Sequence, residues 1–191
     1  VTRTPPEYFA RLYGADPDPW GFATSWYEHR KYAVTLACLP DERYRSGFEP
    51  GCSIGVLTEG LAARCDRLVA VDLDAGAVAV AAERLAGTPH VEVGRATVPD
   101  EWPEGRFDLL VLSELCYYFD AAELRALAGR ASDALEPGAA IVAVHWTGPT
   151  DYPQTAGAAH HVLASTPGWH PLAHHDDERF VVDSWRYRPG G

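Results

Sequence analysis

Two carboxylates and a glycine-rich turn carry the most informative chemistry in this chain. Glu49, Gly51, Ser53 and Gly55 stand in the run Phe48-Glu49-Pro50-Gly51-Cys52-Ser53-Ile54-Gly55. An acid ending a strand, small residues in a tight turn and a helix directly afterwards let backbone approach a ligand closely. A second acid, Asp72, ends the next strand, where a carboxylate reaches the hydroxyls of a ribose. Together they point to a ligand that carries an adenosine. The spacing narrows the choice. A dinucleotide site reads G-x-G-x-x-G, its last glycine packing a helix under a pyrophosphate. Here that last position is Val56 and the run reads E-x-G-x-S-x-G, which counts against a dehydrogenase.

The elements that must position these residues alternate along the chain. A short helix is expected over 5–13, opened by Pro5-Pro6, and an amphipathic helix over 24–38. Its adjoining faces carry Trp26, Arg30, Ala33, Ala37 and Tyr27, Lys31, Val34, Cys38. Strands follow at 45–50, 67–73, 90–93, 107–112 and 140–144, and helices at 55–65, 75–86, 121–134 and 154–165. Asp74 is the expected N-cap of helix 75–86 and Gly87 its terminator. Asp120 and Glu123 form a capping box for helix 121–134, which Pro137-Gly138 should stop. Residues 169–175 and 179–187 are expected to pair as an antiparallel hairpin. Strands alternating with helices imply a doubly wound, mostly parallel α/β sheet, which binds ligands at the carboxyl ends of its strands. Glu49, Asp72, Gly94, Ser113, Glu114 and His145 fall at or near those ends.

Size and charge bound the partners. The 191 residues suit a single domain, 1–191. With 16 basic against 27 acidic residues the net charge is −11, so a nucleic acid, whose binding needs Lys and Arg against phosphates, is not expected. No apolar run approaches the ~20 residues of a membrane helix. Four cysteines without a CxxC pair read as reduced thiols of a cytoplasmic protein. His160, His161, His170, His174 and His175 cluster with Asp176 and Asp177. Neighbouring histidines on a helix diverge and no metal motif is present, so no metal is expected.

Three segments together resemble the nodulation protein S (NodS) family of class I S-adenosylmethionine-dependent methyltransferases. They are the turn at 49–55; Asp18-Pro19-Trp20-Gly21-Phe22-Ala23-Thr24-Ser25-Trp26-Tyr27-Glu28-His29-Arg30-Lys31-Tyr32; and Pro99-Asp100-Glu101-Trp102-Pro103-Glu104-Gly105-Arg106-Phe107-Asp108, continuing to Ser113-Glu114-Leu115-Cys116-Tyr117-Tyr118. The resemblance implies a Rossmann-like, seven-stranded core over 44–191 with an N-terminal helical lid over 1–40. It implies S-adenosyl-L-methionine as donor, S-adenosyl-L-homocysteine as product, and methyl transfer to the nitrogen of a small amine. An amino sugar or deacetylated chitooligosaccharide is one such acceptor. A monomer or homodimer is expected. Two departures stand out. Ser53 replaces the usual glycine, raising the steric cost of positive φ. After the third strand Gly94 is followed by Arg95-Ala96-Thr97, without the aspartate that often holds the adenine amino group.

On this resemblance the donor contacts are Trp20, Tyr27, Lys31, Glu49, Gly51, Ser53, Gly55, Asp72, Leu73, Ala96, Thr97 and Ser113. Trp20 and Tyr27 offer flat faces, and Arg30 or Lys31 meets the donor's carboxylate. Methyl transfer from a sulfonium needs chiefly orientation, worth on the order of 7–11 kcal/mol. An amine acceptor must also shed a proton. Glu114 is the first candidate to orient the ammonium and accept that proton, Tyr117 flanks the acceptor, and His145 is a possible base near neutral pH. Each has a plainer reading: a cap or ion-pair acid, a rim aromatic, a structural histidine. Two alternative functions remain at this stage. One is O-methylation of a hydroxylated metabolite with His145 as base, the other a non-catalytic adenosine-binding domain.

Overall fold

The structure, a computed structural model, describes residues 3–190. Its centre is a seven-stranded sheet of β1 (Gly47–Pro50), β2 (Leu68–Asp72), β3 (Val91–Arg95), β4 (Phe107–Ser113), β5 (Leu135–Trp146), β6 (Trp169–Asp176) and β7 (Phe180–Tyr187). The spatial order is β3-β2-β1-β4-β5-β7-β6. The first five strands run parallel, and β7 pairs antiparallel to both β5 and β6. β4 and β5 are nearly continuous apolar runs because helices cover both of their faces. The helices are α1 (Pro6–Ala15), α2 (Trp26–Ala37), α3 (Val56–Ala62), α4 (Ala75–Arg84), α5 (Ala121–Ala134) and α6 (Ala156–Ala164). The expected hairpin is present, and the strand order reverses between β1 and β4, the place where such sheets bind ligands.

Caps explain most boundaries. Asp74 accepts the Gly76 and Ala77 N–H groups at the start of α4, and Asp120 with Glu123 closes a capping box on α5. Two expected stops differ. α4 ends on Leu85 as C-cap, and Gly87 does not adopt positive φ. α5 ends at Ala134, so Pro137 and Gly138 are the third and fourth residues of β5, which starts five residues before the expected strand. α3 is shorter than expected and stops at Ala62.

α1 and α2 close over the carboxyl end of the sheet. Between them Asp18 accepts the Phe22 and Ala23 N–H groups (2.8 and 2.9 Å), shaping the loop that carries Trp20. The buried face of α2 is Glu28, Lys31, Tyr32 and Thr35, a largely polar stripe at i, i+3, i+4 and i+7. The face led by Trp26 is not the inner one: Trp26 is 78% exposed. A helix buries such a stripe only when its charges find partners, and they do so at the site described next.

Gly55 adopts φ +78° at the start of α3, with Ala81 of α4 so close that an added Cβ would stand 3.1 Å from the Ala81 Cβ. Gly55→Ala therefore combines left-handed strain with a tight contact, at about 1–3 kcal/mol. The expected readout is a thermal midpoint lowered by roughly 2–10 °C for a chain of this size. An unchanged midpoint contradicts the packing described.

Candidate active site

A cavity of about 390 Å³ opens at the carboxyl ends of β1, β2 and β4, under α1 and α2. The turn after β1 forms its floor. Gly51 (φ +76°), Ser53 (φ +50°) and Gly55 all take left-handed backbone, which turns the chain sharply between strand and helix. Ser53 carries a Cβ penalty there that glycine would avoid. Its hydroxyl supplies the reason it is tolerated: Oγ lies 2.5 Å from the Tyr13 hydroxyl and ties α1 to the turn. The Ser53 N–H donates to Asp72 Oδ2 (2.9 Å), and the Asp74 N–H donates to Asp72 Oδ1 (2.9 Å). Asp72 is thus fixed by backbone while each oxygen keeps acceptor capacity toward the cavity. Burial pushes its carboxyl up, and the backbone N–H groups pull against that.

Glu49 is 1% exposed and its Oε2 has no hydrogen-bond partner. Burial pushes its carboxyl up to about 8, with Thr58 opposing the shift and Asp72 adding to it. An orphaned buried carboxylate lining a cavity is what a polar or cationic ligand would satisfy.

At the other end of the cavity α2 meets the loop after β4. The Lys31 Nζ, 1% exposed, lies 2.6 Å from Glu114 Oε1 and 2.7 Å from Glu28 Oε2. Glu114 Oε2 also accepts the Tyr117 hydroxyl and the Trp146 N–H (3.1 Å). Glu114 itself has φ +51°. A non-glycine residue keeps such backbone only where its surroundings over-determine it, and here three donors do so. Tyr27 and Tyr32 turn their rings toward the Lys31 ammonium at 5.2 and 5.7 Å.

Of the residues expected from sequence, the cavity gathers Trp20, Tyr27, Lys31, Glu49, Gly51, Ser53, Asp72, Leu73, Ala96, Ser113, Glu114 and Tyr117. Gly55, Thr97 and His145 do not line it. Gly55 packs behind the turn against Ala81. The Thr97 N–H donates to Glu101 (2.7 Å), away from the cavity. Lys31 is not a free cation for a ligand carboxylate, because two protein carboxylates already hold it. Arg30 pairs with Asp177 (2.7 Å), outside the cavity. Residues missed from sequence are Phe9 and Tyr13 of α1, Glu28 and Tyr32 of α2, and Tyr152. The i, i+4 spacing of Phe9 and Tyr13 was the available signal for α1 as a wall.

His145 is corrected from candidate base to structural group. It is fully buried. The Cys116 N–H can only donate, so His145 Nε2 accepts it (2.9 Å) and the proton sits on Nδ1. Nδ1 then donates to His160 Nε2 (2.9 Å), and His160 Nδ1 donates to Asp183 Oδ2 (2.6 Å). Neither His145 nitrogen is left for a substrate. Burial, with His160 and Lys31 nearby, holds its pKa well below the usual value. His160 belongs to this chain and His161 is exposed, so neither lines the cavity. Among the described residues no group of three or more His, Cys, Asp or Glu could hold a metal ion, and no helix is long and apolar enough to cross a membrane.

This sheet order, with its reversed penultimate strand and a cavity over the switch point, is the Rossmann-like methyltransferase fold. The family model described as Nodulation protein S (NodS) matches residues 10–142, and the chain belongs to that family. Nodulation protein S of Rhizobium tropici is 32% identical over 130 residues, covering 67% of this chain and 55% of that protein. This chain therefore spans little more than half of that relative's length. A crystal structure of a provisionally named methyltransferase from Pseudomonas syringae is 47% identical, covering 85% of this chain and 99% of that one, with a TM-score of 0.76. The N-methyltransferase NodS from Bradyrhizobium japonicum WM9, crystallised with S-adenosyl-L-homocysteine, superposes with a TM-score of 0.83 over 95% of this chain and 97% of that one. At 21% identity it supports the fold.

A neutral buried His145 has a measurable consequence. Its folded pKa lies below that of the unfolded chain, so its contribution to stability is present above about pH 6.5 and is lost as pH falls. Unfolding free energy is expected to drop on acidification from pH 6.5 to 5. Each proton taken up contributes about 1.4 kcal/mol per pH unit. In His145→Gln, denaturant titrations should show that limb flattened by up to one proton. Equal limbs would contradict the assignment.

Proposed function

We propose that the chain binds S-adenosyl-L-methionine in this cavity and transfers its methyl group to the nitrogen of a small amine, with an amino sugar or deacetylated chitooligosaccharide as the acceptor class its family indicates. The observation that carries the reading is one cavity joining two kinds of site. At one end stand the glycine turn, Asp72 and the unpartnered Glu49; at the other stand Glu28, Lys31 and Glu114 among tyrosines. The relative crystallised with S-adenosyl-L-homocysteine supports it through a shared fold.

The residues present fit that donor. Among the cavity-lining residues, Asp72 would hold the ribose hydroxyls, Gly51 and Ser53 would meet the amino-acid portion with backbone, and Leu73 with Ala96 would offer an apolar wall to the adenine. Glu49 has an acceptor oxygen to spare. When bound, the donor supplies a methyl group on a positively charged sulfur. The chain then has to orient an amine in line, keep water out and lower the cost of its lost proton. Trp20, stacked on Phe22 with ring centroids 5.4 Å apart, walls the cavity from the α1–α2 loop. Glu114 already accepts three donors, so it fixes the loop and the Tyr117 ring as much as it meets the acceptor. A second cavity of about 610 Å³ shares Arg3, Trp146 and Tyr152 with the first and offers room for a larger acceptor. The reading places the chain in the cytoplasm, as a monomer or homodimer acting on small molecules and not on nucleic acid. A net charge of −11 and four free thiols support it.

Glu49 makes the reading testable by pH. Its carboxyl, near 8 in the fold and near 4.5 when unfolded, keeps a proton that the unfolded chain gives up. Stability of the unliganded chain thus falls as pH rises between those values. Binding that needs the carboxylate must expel the proton. Calorimetry is expected to show S-adenosyl-L-homocysteine affinity rising from pH 6 to pH 8.5, with proton release near pH 7 and a flatter profile in Glu49→Gln. Asp72→Ala should weaken binding at least tenfold. No retention of the ligand by the parent chain at any pH would contradict the proposal.

A further inference from the structure

We propose that Glu28 is the anionic anchor for an alkylammonium group carried by a ligand of this cavity, an inference that rests on the methyl-transfer reading above. The Glu28 side chain lines the cavity and is only 8% exposed, yet its Oε2 makes no hydrogen bond. Its charged partner is the Lys31 Nζ, 2.7 Å away. Lys31 is shared: it also donates to Glu114 at 2.6 Å. Glu114, in turn, already accepts three donors: Lys31, the Tyr117 hydroxyl and the Trp146 N–H. Two carboxylates thus share one ammonium, and the surplus negative charge rests on Glu28.

The surroundings select what can satisfy it. A buried carboxylate left without a full partner is costly, so an entering cation with N–H donors is favoured and an anion is excluded. Tyr27 and Tyr32, whose rings already face the Lys31 ammonium, supply aromatic faces that attract cations. A compact ammonium meets both requirements. Burial and the neighbouring Glu114 and Asp18 push the Glu28 carboxyl up while Lys31 pulls it down; a second cation would pull it down further. The ammonium has two possible sources, the amino-acid end of the methyl donor and the amine of the acceptor. The chemistry at Glu28 is the same for both.

The test compares the parent chain with Glu28→Gln. Glutamine leaves Lys31 and Glu114 as a matched pair, so the thermal midpoint is expected to hold or rise. Calorimetric affinity is measured for S-adenosylhomocysteine, for 5′-methylthioadenosine, which lacks the amino-acid end, and for glucosamine added to the S-adenosylhomocysteine complex. A loss of tenfold or more for S-adenosylhomocysteine with methylthioadenosine unchanged assigns the ammonium to the donor. Unchanged nucleoside affinities with glucosamine retention weakened tenfold or more assign it to the acceptor. In either case Glu28→Asp, which keeps the charge, should recover part of the loss. No change in any affinity overturns the anchor. So does a midpoint several degrees lower, or a variant that fails to fold, since Glu28 would then be a structural partner of Lys31. If the parent retains neither nucleoside, the methyl-transfer reading fails first and the anchor falls with it.

Discussion

The whole cavity depends on one buried contact, the Lys31 ammonium against Glu114. It ties α2, part of the cavity's roof, to the loop after β4. At an effective dielectric near 20 the attraction of such a pair is on the order of 5 kcal/mol. Taking two charges out of water costs several kcal/mol per ion. The pair therefore adds little net stability, whereas removing one partner alone costs about 3–5 kcal/mol. What the contact supplies is position. It fixes which face of α2 points inward, and with it the places of Tyr27, Glu28 and Tyr32.

Strain is concentrated at the same site. Ser53 and Glu114 are the two non-glycine residues with left-handed backbone among the described residues, and both line the cavity. Each is held by side chains from elements distant in sequence: Ser53 by Tyr13 of α1, and Glu114 by Lys31 of α2 with Tyr117 and the Trp146 backbone. From behind, His145 steadies the loop by accepting the Cys116 N–H, and His160 and Asp183 hold its tautomer. The lid and the site are thus mutually dependent: the helices keep strained residues in place, and those residues anchor the helices.

Most of the architecture was legible in the chain. Alternating strands and helices, the Asp74 cap and the Asp120–Glu123 box give direct local signals, and the E-x-G-x-S-x-G turn with Asp72 marks the switch point. The inner face of α2 was not legible, because hydrophobic periodicity reads apolar stripes and this one is Glu28-Lys31-Tyr32-Thr35. Its burial depends on Glu114, whose nearness no local pattern reveals. His145 misled for the opposite reason. A histidine at a strand end resembles a base until the Cys116 N–H and His160 on either side are seen. Thr97 was expected to help hold the adenine where an aspartate is missing, but it does not line the cavity and its N–H donates to Glu101.

The measurement closest to the centre of this account is a high-resolution crystal structure of the chain grown with S-adenosyl-L-homocysteine. The account predicts ribose hydroxyls on the Asp72 carboxylate, the amino-acid portion over Gly51 and Ser53, and the sulfur directed toward the Glu28–Lys31–Glu114 end, with Lys31 still bound to Glu114. Ligand density outside this cavity, or a ligand seated with Lys31 and Glu114 apart, would contradict it.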